Sequence, residues 1–209
     1  MLRGLSRSAG WAATLVFLLL CACSGPEKPK PAPLAANPAS VAVRVVWSNP
    51  AALGAETLDL KADGANLILA SKTGVLTARD ASSGAEHWRV DLGVGLTSAL
   101  GGDMARLAVV TQGNDLVVLE QGKETWRARM QALVLTAPLV AGGRVFVLSG
   151  DRSISAFDAA SGKRLWQQQR TGEPLILAQA GFLTAVGDTL VLGLGGRLTG
   201  LNPQNGSTR

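Results

Sequence analysis

Tyrosine is absent from the 209 residues, histidine occurs once and cysteine twice. Each shortage closes off some chemistry. Both cysteines, Cys21 and Cys23, lie near the N-terminus, so the remainder of the chain offers no disulfide and no thiolate metal site. It has no thiol to lose in an oxidising compartment. The single histidine, His87, stands between Glu86 and Trp88, and no defensible Ser-His-Asp arrangement forms around it. No glycine loop has nucleotide-binding spacing, and no carboxylates are spaced to hold a metal. Charge is not concentrated either. Arg3 and Arg7 belong to a leader, leaving 18 of the 20 Lys and Arg against 15 Asp and Glu, and no basic cluster suggests nucleic acid. These features give no sign of an enzyme, and no catalytic residue, metal site or cofactor is assigned.

Glycine (25 residues) and apolar side chains (47%) are plentiful. They are organised around residues 152–166. Ser153-Ile154-Ser155-Ala156-Phe157-Asp158 alternates as a strand does, Asp158 to Gly162 holds turn residues, and Lys163 to Trp166 begins a second run. This predicts a hairpin ending on tryptophan. The same frame occurs earlier: Ala78, Asp80, Gly84 and Trp88 match Ala156, Asp158, Gly162 and Trp166 in the pattern A-x-D-x-x-x-G-x-x-x-W. A third copy, Asp115 to Trp126, keeps strand and tryptophan but shortens the turn by two residues. A fourth, Arg197 to Arg209, has Asn202 in the Asp position and Gly206 in the Gly position. The chain stops one residue short of the tryptophan this copy calls for, so the pattern predicts a fragment of a longer product. Spacings of 38 (Trp88 to Trp126) and 40 (Trp126 to Trp166) match a propeller blade.

Stacked four-stranded blades explain the pattern. A tryptophan on the last strand lies across the next blade, and a small residue such as Ala156 leaves it room. Asp or Asn at the turn start accepts from amides two residues on, and Gly at its end supplies a positive φ. No helical period is seen outside the leader, so the fold class is all-β: a β-propeller of four-stranded blades, about three and a half of them, occupying 41–209. Expected strands include Asn66–Ala70, Gly74–Ala78, Glu86–Val90, Ala105–Val110 and Arg144–Leu148. Val41–Trp47 is expected as a strand completing another blade.

Upstream, two arginines precede the apolar run Trp11–Leu20, which is short for a bilayer span and reads as a secretory signal, 1–22. Leu20-Cys21-Ala22-Cys23 resembles a bacterial lipobox, making Cys23 the acylated mature N-terminus. Ser24 in place of Asp favours the outer membrane, periplasmic face. Residues 24–40 hold five prolines, so 23–40 is read as a tether, extended at about 3.1 Å per residue.

The repeats resemble the tryptophan-docking motifs of the pyrroloquinoline quinone (PQQ) dehydrogenase propeller superfamily. Within it, the lipobox at Cys23, the Pro-rich tether, the repeats beginning at Trp47 and the stretch Arg170–Val191 resemble the BamB family, lipoproteins of the outer-membrane β-barrel assembly machinery. The resemblance implies an eight-bladed, non-enzymatic propeller that binds the POTRA domains of the barrel insertase BamA, alongside the other Bam lipoproteins and unfolded outer-membrane proteins. It implies that a loop with an L-x-L-R pattern makes the BamA contact. Leu175 and Leu177 match its leucines, while Ala178 stands where the arginine belongs, removing a charged anchor. Leu175 and Leu177 equally fit alternate core residues of an inner strand. The rival readings are a membrane-anchored PQQ-dependent dehydrogenase and a propeller lipoprotein with another envelope partner.

Overall fold

The computed structural model describes residues 44–50, 57–103, 105–171 and 181–209. Within the unit Val45–Arg209 the described residues form strands, turns and loops, with no helix. Four antiparallel sheets follow one another along the chain. Blade 1 is β1 (Thr57–Asp63), β2 (Asn66–Ser71), β3 (Val75–Asp80) and β4 (Glu86–Asp91). Blade 2 is β5 (Gly101–Gly102), β6 (Leu107–Val110), β7 (Asp115–Glu120) and β8 (Lys123–Arg129). Blade 3 is β9 (Leu139–Ala141), β10 (Arg144–Leu148), β11 (Ser153–Asp158) and β12 (Arg164–Gln169). Blade 4 has three strands, β13 (Phe182–Val186), β14 (Thr189–Leu194) and β15 (Arg197–Leu201). Each sheet is an up-and-down meander, so the fold is a partial propeller.

The middle strands are apolar on both faces because both faces are covered. Leu107, Val109, Val117 and Leu119 join Ile68, Ala70 and Leu76 in a core between blades 1 and 2. Their neighbours Ala108, Val110, Leu116 and Val118 point the other way, into a core with Val145, Val147, Phe157 and Ala159 of blade 3. Phe146, Leu148, Ile154 and Ala156 then meet Leu190, Leu192 and Leu201 of blade 4. A two-residue side-chain period thus sits under a continuous apolar run such as Leu107-Ala108-Val109-Val110, all buried. Each fully buried large side chain contributes about 1.5–3 kcal/mol relative to exposure, an upper bound against a compact unfolded chain. These seams therefore outweigh any single hydrogen bond within them.

One expected strand is not seen in its described part. No strand is assigned over residues 44–50, the described part of the segment expected as Val41–Trp47, and Val45 and Val46 are exposed. A strand needs a ladder partner for its amides and carbonyls, and among the described residues this segment has none. Cys23 and residues 1–43 lie outside the described residues, as do Leu175, Leu177 and Ala178.

Candidate functional site: the tryptophan junctions

The repeat residues meet where one blade passes to the next. In blade 1 Ala78 lies opposite Trp88, in blade 3 Ala156 lies opposite Trp166, and in blade 2 Val118 takes that place opposite Trp126. Each register slips by one beside the tryptophan: Arg79 pairs with Glu86, Leu119 with Glu124 and Phe157 with Arg164. The extra residues are His87, Thr125 and Leu165, each the bulged residue of its blade. A bulge twists the strand locally and re-aims the next side chain, here the tryptophan. His87 is exposed on this bulge, a position set by backbone geometry.

Each ring then lies on a glycine of the following blade. A Cβ on Gly122 would come within 2.8 Å of Trp88 Cδ2, one on Gly162 within 2.7 Å of Trp126 Cδ2, and one on Gly206 within 2.6 Å of Trp166 Cζ3. These glycines have φ of +77°, +71° and +75°. Glycine is required twice over here, by the left-handed backbone and by the ring above it. Trp47 makes the same contact: a Cβ on Gly84 (φ +71°) would meet its Cε3 at 2.6 Å. The expected reason for glycine was the turn alone. The ring contact was missed, and so was Trp47 as a junction residue, although it lies 41 residues before Trp88 in the same period.

Three of the four indoles also hydrogen-bond across the seam. Trp47 Nε1 donates to the Ala81 carbonyl (2.9 Å), Trp126 Nε1 to Ala159 (2.9 Å) and Trp166 Nε1 to Pro203 (3.0 Å). All three acceptors directly follow the Asp or Asn that opens the turn. That residue builds the turn: Asp80 Oδ1 accepts from the amides of Ser82 (3.0 Å) and Ser83 (2.8 Å) and from both hydroxyls. Asp158 Oδ1 accepts from the Ser161 amide (2.8 Å) and hydroxyl (2.7 Å), and Asn202 Oδ1 from the Gln204 amide (2.9 Å). Bonding to the charged form, first from the Ser82 hydroxyl and then from that of Ser83, lowers the Asp80 pKa to about 2. The Ser161 hydroxyl, followed by its amide, lowers that of Asp158.

Trp88 is the exception. Blade 2 closes β7 to β8 by a two-residue turn, Gln121-Gly122, with Glu120 paired directly to Lys123. The shortened turn lacks the carbonyl that the longer ones present, and Trp88 Nε1 is buried with no acceptor among the described residues. Rings support two seams further: Trp126 lies 6.1 Å from Phe157 and Trp166 6.0 Å from Phe146, both tilted. Among the described residues, no group of three or more His, Cys, Asp or Glu is placed to hold a metal.

With this geometry in view, a sequence profile for the family described as outer membrane protein assembly factor BamB matches residues 43–209. The outer membrane protein assembly factor BamB of Bordetella pertussis is 30% identical over 222 residues, an alignment covering 100% of this chain and 57% of the relative. The chain thus spans little more than half that relative's length. The crystal structure of BamB from Moraxella catarrhalis superposes with a TM-score of 0.64 at 19% identity, covering 72% of this chain and 46% of that one. The quinohemoprotein alcohol dehydrogenase of Comamonas testosteroni superposes with a TM-score of 0.55 at 14% identity, covering 72% and 33%. At such identities the two structures speak to fold alone.

Proposed function

The chain belongs to the outer membrane protein assembly factor BamB family, and from that membership we propose that it is a non-enzymatic scaffold in the assembly of outer-membrane β-barrel proteins. It is anchored through acylated Cys23, held off the periplasmic face of the outer membrane by the tether of 23–40, and presents the propeller of 41–209 to its partners. The family match over 43–209 carries this reading. The partner is the POTRA region of the BamA-type insertase, with the companion Bam lipoproteins, and the loop containing Leu175, Leu177 and Ala178 is the contact. Acylation places both partners on one membrane at high effective concentration, so a modest interface suffices even with Ala178 in the arginine's place.

Unfolded outer-membrane proteins are received as added strands on an outer blade edge, and β12 suits this best. On β4 and β8, Glu86 pairs with Arg89 (3.0 Å) and Glu124 with Arg127 (2.8 Å), charges that discourage edge pairing. On β12 the same positions hold a neutral-acceptor contact, Arg164 Nη1 to Gln167 Oε1 (3.1 Å), followed by Gln168 and Gln169.

Affinity purification of the full-length, acylated protein from mild-detergent outer-membrane extracts tests the scaffold reading. Retention of the barrel insertase and its companions is expected. Their absence, with quinone-dependent dye reduction by the purified protein, would favour the dehydrogenase reading. Leu175→Asp with Leu177→Asp should weaken retention while the circular dichroism spectrum stays unchanged. Undiminished co-purification would remove that loop from the interface.

A further inference from the structure

Four of the buried hydroxyls among the described residues are bonded. Ser71 Oγ meets Thr73 and the Val75 amide, Ser98 Oγ meets the Ala99 carbonyl and the Val110 amide, Thr111 Oγ1 accepts from the Asp115 amide, and Thr136 Oγ1 donates to the Leu148 carbonyl. Thr77 Oγ1 of blade 1 is buried with no partner among the described residues, and three serines of blade 3 stand apart by lining a common crevice. Ser149, Ser153 and Ser155 are 1%, 2% and 2% exposed. They share one face. The Ser149 amide donates to the Ser153 carbonyl (2.9 Å), Ser155 lies two residues along β11, and Gln167 stands opposite Ser155 on β12. All four line a crevice of about 190 Å³ between blades 2 and 3, with Arg164 and Met130 also on its wall.

Blade 2 fills the same register with different residues. The Thr111 amide donates to Asp115 (3.0 Å) as Ser149 does to Ser153. There Thr111, Asp115 and Val117 occupy the three positions and Arg127 faces Val117. Asp115 carries a charge that Arg129 neutralises at 2.8 Å, with Arg127 at 3.8 Å. In blade 3 the acid and the valine are both serine, and the arginine is Gln167. The register thereby loses its carboxylate and its bulk, and where blade 2 has Glu124 it holds a cation, the Arg164 guanidinium, whose bonded partner is the neutral Gln167. Arg129 also borders it but is held by Asp115. Asp151 caps the Ser153 amide (2.9 Å) and is not among the residues that line the crevice.

Several hydroxyl donors around an uncompensated guanidinium match a ligand rich in acceptor oxygens and negatively charged. We propose that the crevice between blades 2 and 3 is a binding site for a phosphate-class oxyanion, held by the Ser149, Ser153 and Ser155 hydroxyls, Gln167 and Arg164. Inorganic phosphate and the headgroup of a phospholipid share this chemistry.

The test is calorimetric titration of the full-length protein in detergent with sodium phosphate at constant ionic strength. Saturable binding is expected. Ser155→Val, which restores the blade 2 residue and suits a strand, should abolish it. Arg164→Gln, at an exposed position, should weaken it about tenfold through the loss of a charge-assisted hydrogen bond. Vesicles of phosphatidylglycerol and phosphatidylethanolamine distinguish the sources: displacement of phosphate identifies the headgroup, and no displacement identifies the free anion. The proposal is overturned if no saturable heat appears, as for a crevice holding only water. It is equally overturned if chloride competes as well as phosphate and neither substitution changes the titration.

Discussion

Between blades 1 and 2 the Trp88 ring covers Gly122 and its N–H finds no acceptor among the described residues; between blades 2 and 3 the Trp126 ring covers Gly162 and its N–H reaches the Ala159 carbonyl. The apolar cores on either side are comparable, with nine and ten buried residues among those described. The comparison separates two things that usually come together. The ring on the glycine is common to both seams, while the hydrogen bond depends on the length of the turn. A net hydrogen bond is worth about 0.5–1.5 kcal/mol and an orphaned buried donor costs about 1–3 kcal/mol, both small beside a core of nine apolar side chains. The blade 1–2 seam tolerates its orphan because burial dominates.

The strongest way to break both seams alike is to put a side chain under the ring. Gly162→Ala and Gly122→Ala combine a clash with a left-handed backbone and should each cost about 2–4 kcal/mol in urea denaturation. Gly142→Ala, with φ +56° but nothing within 4 Å, should cost only about 1 kcal/mol. Equal losses at all three positions would assign the glycines to turn geometry alone. Next in size, Trp126→Phe should cost about 1 kcal/mol more than Trp88→Phe, because only the former strands a carbonyl.

Lengthening Gln121-Gly122 to the four-residue loop of the other blades should sharpen the comparison from the opposite side. It supplies Trp88 with an acceptor and should stabilise the protein by about 1 kcal/mol, and the Trp88→Phe loss should then match that at Trp126. The smallest effect is in acid. Asp80 titrates near 2 in the folded protein against an ordinary 3.8. A depressed folded pKa gives stability that is complete above about pH 4 and is lost as pH falls toward 2. Asp80→Asn should flatten that part of the stability curve, followed by urea midpoints at stepped pH.

The sequence made the seams legible in part. Ala78, Asp80, Gly84 and Trp88 at the spacing of Ala156, Asp158, Gly162 and Trp166 located the hairpins, and the two-residue deficit before Trp126 correctly predicted a shorter turn. That a shorter turn strands Trp88 could not be read, because the acceptor is a backbone carbonyl of the next blade and any residue supplies one. For the same reason the acceptors need no common side chain, and Pro203 serves as well as Ala81 and Ala159. The bulge at His87, Thr125 and Leu165 was hidden too, since three unlike residues fill it. The strand expected at Val41–Trp47 failed in its described part, 44–50, for want of a ladder partner. The serines of blade 3 looked like ordinary alternation, and only the register against Asp115 and Val117 shows what they replace.

That each seam is closed by a tryptophan laid on a glycine, with a hydrogen bond added only where the turn provides a carbonyl, is tested most directly by the proton chemical shifts of the indole N–H groups of Trp47, Trp88, Trp126 and Trp166. Trp47, Trp126 and Trp166 should resonate downfield as hydrogen-bonded donors and Trp88 clearly upfield of them. A Trp88 resonance among the other three would contradict it.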